Sequence, residues 1–270
     1  MLVCLAGGCL PWRAPERYTV YTDLETAQAE PEKVRELKLG GGGLKAVPAG
    51  LSAFAELVKL SLRGSSMPEL SATIGEAKGL VWLDAGNCGL TGVSGALGAL
   101  PELRTLYLGD NRLTGLPSAI ENLRKLTYLN LDRNRLTDFP SAVTRLAALR
   151  WLRLNGNGLQ RVPAGIAELR QLERLYLEGN RLTTLPGEIG GLERLTDLAL
   201  GRNQLERLPD DITRLKRLKR LDIDRNKLTA LPADIGKLDR LQWLFAQHNA
   251  FPEEEQARIR AALPDCHIVF

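Results

Sequence analysis

LTYLNLDRNRLTDFPSAVTRL, residues 126–146, holds the pattern that decides the fold of this chain. Its leucines, its asparagine and its Phe-Pro step return at a fixed interval along most of the sequence. An aliphatic residue stands every 23 positions, at Val34, Leu57, Leu80, Leu103, Leu126, Leu149, Leu172, Leu195, Leu218 and Leu241. Nine full repeats of 23 residues cover 207 of the 270 residues. A fixed period in this range predicts a solenoid, in which each unit buries its apolar face against its neighbours.

Each repeat predicts one strand and one short helical return. Leu106 and Leu108 alternate with polar or aromatic residues, which is typical of a strand with one buried face. Leu116-Pro117 follows, and Ile120 and Leu123 are spaced for a short helix or 3₁₀ turn with proline in its first turn. Stacked repeats should form a long parallel sheet with right-handed crossovers.

One polar residue recurs where each strand turns away. Because the turn leaves backbone groups inside the stack without a strand partner, an amide side chain that donates and accepts can satisfy them. The expected structural asparagine ladder is Asn111, Asn134, Asn157, Asn180, Asn203, Asn226 and Asn249. Cys88, a weak donor, takes this position in the third repeat, and Ser65 and Gly42 take it in the first two. We expect those first two repeats to be the looser end of the array.

The motif L-x-x-L-x-L-x-x-N-x-L resembles the leucine-rich repeat superfamily. The Leu-Pro-x-x-Ile turn is similar to the 23-residue class seen in Ras-suppressor-like and many bacterial members. This resemblance implies an α/β, right-handed leucine-rich-repeat solenoid, or horseshoe, with a concave parallel β-sheet and short helical or 3₁₀ segments on the convex side. It also implies protein–protein recognition on the concave face, without naming a partner.

The repeats divide the chain into an array with two capping ends. Residues 1–21 are a leader, 22–33 an N-terminal cap helix, 34–252 the repeat array with a partial tenth repeat, and 253–270 a C-terminal cap helix and strand. Thr22-x-x-Glu25 fits a capping box for a helix over about 22–30 that Pro31 stops. Three acidic residues from Glu253 favour the start of the last helix.

The N-terminus leaves the cellular location open. Residues 1–9 form a short apolar segment in which small residues precede Cys9, as at the end of a bacterial lipoprotein signal. The segment lacks a basic start and is short for such a signal, so either the signal is truncated or the likeness is accidental. The alternatives are a cell-envelope lipoprotein anchored at Cys9 and a cytoplasmic protein without membrane attachment.

Composition and motifs argue against several function classes. Lys and Arg number 36 against 32 Asp and Glu, and the two signs alternate locally, which does not favour nucleic-acid binding. No phosphate loop, nucleophile elbow or cysteine spacing for zinc is present. His248 and His267 lack a nearby nucleophile. The sequence therefore predicts a protein that is not an enzyme and has no cofactor or metal.

The candidate binding residues lie on the outward face of the predicted strands. With the first aliphatic residue of each repeat as position zero, these are positions +2, +4 and +6. Positions +2 and +4 together hold three of four Trp and three of five Tyr. Exposed aromatics with arginine are typical of interface hot spots. The predicted ligand-binding residues are Trp82, Asp84, Tyr107, Tyr128, Asn130, Trp151, Arg153, Arg174, Tyr176 and Asp197.

Three alternatives qualify this site. The aromatics could serve as cross-strand stabilisers of the sheet. Trp243 and Phe245 occupy the same two positions in the last repeat, where the C-terminal cap could cover them. A second candidate is the edge near the asparagines, where any ligand should be acidic: Arg112, Arg133, Arg135, Arg181, Arg202, Arg225 and Lys227.

The sequence thus predicts a monomeric, non-enzymatic scaffold that binds a protein or peptide ligand on its concave face. Trp82, Tyr107, Tyr128, Trp151 and Tyr176 should supply apolar contact. Arg153 and Arg174 should supply directed hydrogen bonds to carboxylates. The alternative is a glycan-binding cell-envelope lipoprotein, since aromatic platforms also stack on sugars.

Overall fold

The computed structural model describes residues 19–41 and 43–270 as one stack of strand–turn–3₁₀ units. Within these residues, twelve strands form one parallel sheet, and two more form a small parallel pair. In chain order they are β1 (Val20–Tyr21), β2 (Glu36–Lys38), β3 (Lys59–Ser61), β4 (Glu69–Leu70), β5 (Trp82–Asp84), β6 (Gly92–Val93), β7 (Thr105–Tyr107), β8 (Tyr128–Asn130), β9 (Trp151–Arg153), β10 (Arg174–Tyr176), β11 (Asp197–Ala199), β12 (Arg220–Asp222), β13 (Trp243–Phe245) and β14 (His267–Val269). The small pair is β4 and β6.

The 23-residue period sets the register of the main sheet. Leu129 pairs with Leu152, and Leu152 pairs with Leu175, so equivalent residues of successive repeats lie side by side. These leucines have no exposed surface, and neither does Leu131 two residues after the first of them. The predicted fold class is confirmed, because the strands stack on strands while the return segments stack on one another.

The return segments are 3₁₀ turns. They are Pro31–Lys33, Leu51–Ala53, Ala72–Glu76, Gly95–Ala99, Ser118–Asn122, Ser141–Arg145, Ala164–Glu168, Gly187–Gly191, Asp210–Arg214 and Ile235–Lys237. The sequence predicted Pro117 within the first turn of its segment. Instead, Pro117 precedes that turn as the N-cap residue, with φ −65° and ψ 145°. Extended backbone suits proline, whose ring fixes φ near this value. Pro163 and Pro186 take the same position.

The asparagine side chains bridge neighbouring repeats. The Asn180 side chain accepts a hydrogen bond from the Leu159 N–H at 3.1 Å and donates to the carbonyls of Leu154 at 3.0 Å and Leu177 at 2.9 Å. Asn203 repeats this arrangement one unit later, with the Leu182 N–H as donor at 3.0 Å. Each carboxamide therefore satisfies backbone groups of its own repeat and of the one before.

The first three repeats carry other residues at the asparagine position. The Cys88 thiol donates to the Leu62 carbonyl at 3.1 Å, as a weak donor in place of asparagine. The Ser65 hydroxyl oxygen is buried and has no hydrogen-bond partner. An unpaired buried polar group costs free energy, which supports the expectation of a looser N-terminal end. Gly42 lies outside the described residues.

The N-terminal end differs from the sequence prediction in two respects. Helix α1 spans Leu24–Ala29, and its N-cap is Asp23 rather than Thr22; the Asp23 carboxylate accepts from the Thr26 N–H at 2.8 Å. Aspartate and threonine both cap helices, and here the aspartate has the required reach to the third residue. Val20–Tyr21 also pairs with β2 instead of belonging to a leader.

The C-terminal end is closed by helix α2, Glu253–Ala262, and by β14, which pairs with β13. Glu255 accepts from the Leu231 N–H at 2.9 Å, and Arg258 donates to the Leu231 carbonyl at 2.8 Å. Ile259 is fully buried. These contacts attach the helix to the last 3₁₀ turn of the array.

The hypothesis of lipidation at Cys9 lies outside the described residues, as does most of the predicted leader. In the part of the chain that the structure describes, no helix has both the length and the apolar character needed to cross a membrane.

Removal of one ladder side chain should destabilise the array. Asn180→Ala leaves the Leu159 N–H and two carbonyls inside the stack without their side-chain partner, which should lower the free energy of unfolding by about 1–3 kcal/mol. Urea unfolding followed by circular dichroism measures the change. The exposed neighbour Arg181→Ala is the matched control, expected within about 0.5 kcal/mol of the native chain. Equal midpoints for both variants would contradict a stabilising role for the ladder.

Candidate binding face of the sheet

The side chains at positions +2 and +4 point away from the leucine core because side chains alternate along a strand. The parallel register places equivalent positions of successive strands next to each other. Tyr128, Trp151 and Arg174 are therefore direct neighbours at position +2 of β8, β9 and β10. Trp82 and Thr105 hold this position in β5 and β7.

Four aromatic rings form a continuous row across β5, β7, β8 and β9. The ring centroids of Trp82 and Tyr107 lie 5.6 Å apart, those of Tyr107 and Tyr128 lie 4.9 Å apart, and those of Tyr128 and Trp151 lie 5.7 Å apart. All three pairs are tilted, at spacings typical of favourable aromatic contacts. We call these four residues the aromatic row. Each is half-buried, because each ring covers part of its neighbours.

Arginines continue this row at its far end. The Arg174 guanidinium lies over the Trp151 ring at 4.2 Å from the centroid, a cation–π contact. Its Nε is also 3.7 Å from an Asp197 carboxylate oxygen. Tyr176, predicted to belong to the same patch, joins it through the Arg153 guanidinium, which lies 5.0 Å from its ring centroid.

Arg153 is an internal ion-pair partner rather than a free donor. Its Nε and Nη2 each lie 2.6 Å from Asp132 Oδ2. The Asp132 side chain is only 2% exposed, and its other oxygen accepts from the Asn155 N–H at 2.7 Å. The Asn155 side chain in turn accepts from the Glu178 N–H at 2.8 Å. The expectation that Arg153 is directed at a ligand carboxylate must be corrected, because a buried carboxylate of this chain already holds it.

Asp84 and Asn130 also serve the chain itself. Asp84 is 8% exposed, and its carboxylate accepts from the Gly86 N–H at 2.8 Å. Burial raises the pKa of Asp84 above its usual value. The Asn130 side chain accepts from the Asp132 N–H at 2.8 Å. Both side chains therefore hold the turn after their strand, and Asp84, predicted as a ligand-binding residue, is buried.

Sequence reasoning missed Asp132 and Asn155, which stand at position +6. This position is glycine in four repeats, at Gly40, Gly86, Gly109 and Gly201. Asp132 and Asn155 occupy this position in consecutive repeats, in place of glycine. A carboxylate followed one repeat later by an amide indicates hydrogen bonding between neighbouring turns. It could have been found from the sequence alone.

A depression of about 280 Å³ lies beside the aromatic row, lined by Tyr128 and Trp151 together with Thr127, Arg150 and Glu173. Arg150 and Glu173 form an ion pair at 2.6 Å along its margin. Pockets for small ligands generally begin near 300 Å³, so this one suits a single side chain of a larger partner.

A second aromatic group lies at the C-terminal end of the same face. The rings of Trp243 and Phe245 are nearly parallel, at 5° and 6.1 Å, and His267 of β14 meets the Trp243 ring at 4.6 Å. The Arg220 guanidinium lies 4.8 Å from the Phe245 ring centroid. Trp243 remains 45% exposed, so the C-terminal cap contacts this side chain without covering it.

The described residues contain no group of three or more His, Cys, Asp or Glu side chains arranged to hold a metal ion.

Comparison with known proteins gives consistent relatives. The profile of the Leucine rich repeat family matches residues 78–136, 101–159, 147–205 and 193–251, more than half of the chain together. A leucine-rich-repeat protein of Leptospira interrogans is 24% identical, with a TM-score of 0.50 over 93% of this chain and 100% of that chain. No curated protein matches the chain significantly.

Two solved plant receptor complexes are also similar. The ectodomain of the Arabidopsis thaliana receptor kinase GASSHO1/SCHENGEN3, in complex with CASPARIAN STRIP INTEGRITY FACTOR 2, is 30% identical, with a TM-score of 0.68 over 76% of this chain and 26% of that chain. The plant peptide hormone receptor RGFR1, in complex with RGF2, is 26% identical, with a TM-score of 0.72 over 87% of this chain and 40% of that chain. The present chain thus spans less than half the length of either receptor.

Tyr128 should ionise at a higher pH than an ordinary tyrosine. Burial, followed by the neighbouring Tyr107, raises the pKa of Tyr128 to about 12. Since the folded state favours the protonated phenol, this contribution to stability is complete below about pH 10 and is lost as pH rises through about 12. The difference between the alkaline absorbance titrations of the native chain and Tyr128→Phe isolates this group. A midpoint near 10 in the folded protein would contradict the packing described; in denaturant the midpoint should return there.

Arg153 and Arg174 should differ in their effect on stability. Arg153→Met leaves the buried Asp132 carboxylate without its cation and should cost about 2–3 kcal/mol in unfolding free energy. Arg174→Met removes an exposed contact to Asp197 and one cation–π contact, and should cost about 1 kcal/mol or less. Urea unfolding of the two variants is the measurement, and each serves as the control for the other. A larger loss at Arg174 would contradict this account.

Proposed function

Because the chain belongs to the leucine-rich repeat family, we propose that it is a non-enzymatic scaffold that binds a protein or peptide ligand on the face carrying the aromatic row. Members of this family are commonly protein–protein interaction scaffolds. The single observation that carries the proposal for this chain is the continuous row from Trp82 to Trp151, which lies on the solvent side of a regular sheet.

The size of the row fits a short extended segment. Together with Arg174, it crosses five neighbouring strands, β5 and β7 to β10. At about 4.8 Å between strands, this is about 19 Å, the length of about six extended residues. Because packing and the cation–π contact already hold the rings in place, a ligand would lose little entropy in ordering them.

The charges on this face favour a ligand bound mainly through apolar contact. Arg153 is neutralised by Asp132, and Arg174 lies near Asp197. Arg150 is neutralised by Glu173. What remains available is ring surface and the depression beside Tyr128 and Trp151, which would take an aliphatic or aromatic side chain of the ligand. Aromatic anchors of this kind carry most of the binding energy in many interfaces.

The two plant receptors support a class of ligand and do not identify a particular ligand. Both are in complex with their named ligands, and RGFR1 is a peptide hormone receptor. Their similarity to this chain makes a peptide segment a reasonable ligand class, whereas the identity of the partner has to come from experiment.

Both ends of the array are covered, which supports a chain that works as a monomer. Ala27 of α1 and Ile259 of α2 are fully buried against the terminal repeats. These helices remove the apolar end surfaces that a stacked second copy would need.

Loss of Tyr128 and Trp151 from the aromatic row, together with the adjoining Tyr176, should weaken binding of the partner. The full chain, immobilised, would capture proteins from a lysate of the source cells, and the purified partner would then be titrated against it. The variant Tyr128→Ala/Trp151→Ala/Tyr176→Ala, checked by circular dichroism, should bind at least about 30-fold more weakly, the loss expected when hot spots worth 2 kcal/mol are removed. Trp243→Ala/Phe245→Ala, which removes aromatic surface elsewhere on the same face, is the matched control and should bind as the native chain does.

Equal binding by the native and triple-variant chains would contradict the proposal and would mean that these three aromatic side chains stabilise the sheet and do not bind the partner. Elution of the captured material by sugars would favour the alternative, a glycan-binding protein.

A further inference from the structure

A groove runs along one edge of the solenoid, where the chain turns away after each strand. Within residues 160–229, two adjoining depressions of about 680 Å³ and 560 Å³ share Thr184, so they form one continuous surface. A third, of about 430 Å³, shares Thr184 and Arg207 with them. This edge groove is separate from the face that carries the aromatic row.

The edge groove is positively charged. One cation comes from each of four successive repeats: Arg161, Arg181, Arg207 and Lys227. Glu206 is the acidic residue of the two larger depressions, and Asp210 borders the third. The remaining side chains are threonines and glutamines, which can donate hydrogen bonds.

These four cations differ from the arginines nearer to the sheet. Arg133 forms an ion pair with Asp110, Arg202 lies 3.3 Å from Glu178, and Arg225 lies 3.3 Å from Asp224. By contrast, no carboxylate of the described residues pairs with the groove cations, and all four are exposed. A surface arranged only for solubility would intersperse both signs. Here four cations outnumber Glu206 and Asp210, so the concave strip carries a net positive charge.

We propose that this edge groove binds an acidic polypeptide segment, a run of aspartates or glutamates in a partner protein. The planar guanidinium forks of the three arginines match carboxylates. Four repeats about 4.8 Å apart give a strip of about 14 Å, which faces about four extended residues. Single-stranded nucleic acid is the competing polyanion, but proteins that bind it stack bases on aromatic side chains, and no aromatic residue lines the groove.

The test uses a fluorescein-labelled peptide of about 12 alternating glutamate and serine residues, which at ~3.3 Å per residue is longer than the groove. Fluorescence anisotropy with the full chain should show binding that weakens as salt rises past about 0.15 M. The variant Arg161→Gln/Arg181→Gln/Arg207→Gln/Lys227→Gln should bind at least tenfold more weakly. The four substitutions are on exposed side chains, and circular dichroism verifies that the variant is folded.

The matched control removes the same charge from the opposite edge. Arg124, Arg170, Arg194 and Arg217 are exposed and precede the strands instead of following them. Their fourfold substitution by glutamine should leave peptide binding within about twofold of the native value after allowance for net charge. The triple aromatic variant should also bind the peptide normally, which separates this proposal from the proposed function of the sheet face.

Four results would overturn the proposal. The groove variant could bind the acidic peptide as tightly as the native chain does, or the opposite-edge variant could lose as much affinity, which would indicate a general charge effect. An oligothymidylate of equal length could bind more tightly than the peptide, which would assign the groove to nucleic acid. A peptide with glutamine in place of glutamate should not bind, and binding of that peptide would equally contradict the proposed role of charge.

Discussion

The structure depends on satisfying the backbone groups of one turn, which recurs in every repeat. The strands are only three residues long through most of the sheet, so the chain leaves the ladder of strand hydrogen bonds almost at once. The turn then lies inside the stack, where a backbone group without a partner would cost free energy. The asparagine side chain removes this cost by bonding to two repeats together, as Asn203 does with the carbonyls of Leu177 and Leu200. Each repeat is therefore held by hydrogen bonds as well as by leucine packing.

This turn also imposes a left-handed backbone one residue before the asparagine. The residue there has a positive φ in every repeat: Gly41, Gly64, Asn87, Asp110, Arg133, Gly156, Gly179, Arg202, Arg225 and His248. Glycine adopts this conformation without strain, whereas an arginine at φ of about 50–55° does so at a cost. Three arginines nevertheless occupy the position, and each pairs with a carboxylate of the same or the preceding repeat. The ion pairs between Arg133 and Asp110 and between Arg202 and Glu178 link successive repeats, which offsets part of the strain.

The fold could be predicted from the sequence because its determinants repeat. A single leucine or asparagine does not identify a fold. The same residue type repeated every 23 positions, as far as Leu241 and Asn249, is compatible with only one architecture. The ends were harder, because they occur once. Thr22 and Asp23 are both good caps, and only the observed reach of Asp23 to the Thr26 N–H decides between them. A two-residue strand such as Val20–Tyr21 carries no periodicity at all.

The candidate site was predictable in its aromatic members and not in its charges. The strand period alone puts Tyr128 and Trp151 side by side. The partner of Arg153, however, is Asp132, whose column was counted as outward-facing although its carboxylate lies buried. Whether an arginine on a sheet is available to a ligand depends on its rotamer and on the neighbouring column, neither of which the spacing of its own column reveals.

The two surfaces differ in how their positive charge is compensated, and this has consequences for recognition. On the sheet face, Arg174 lies over the Trp151 ring and Tyr128 packs beside it, so a ligand would meet the remaining ring surface and the depression beside it. Contacts of that kind depend on shape and apolar area and respond little to salt. At the edge groove, by contrast, Arg181 and Arg207 form no ion pair with a carboxylate of the described residues. Electrostatic attraction there acts over about a Debye length and speeds association before any close contact forms. A partner that engaged both surfaces would be guided by its acidic segment and held by its apolar side chains.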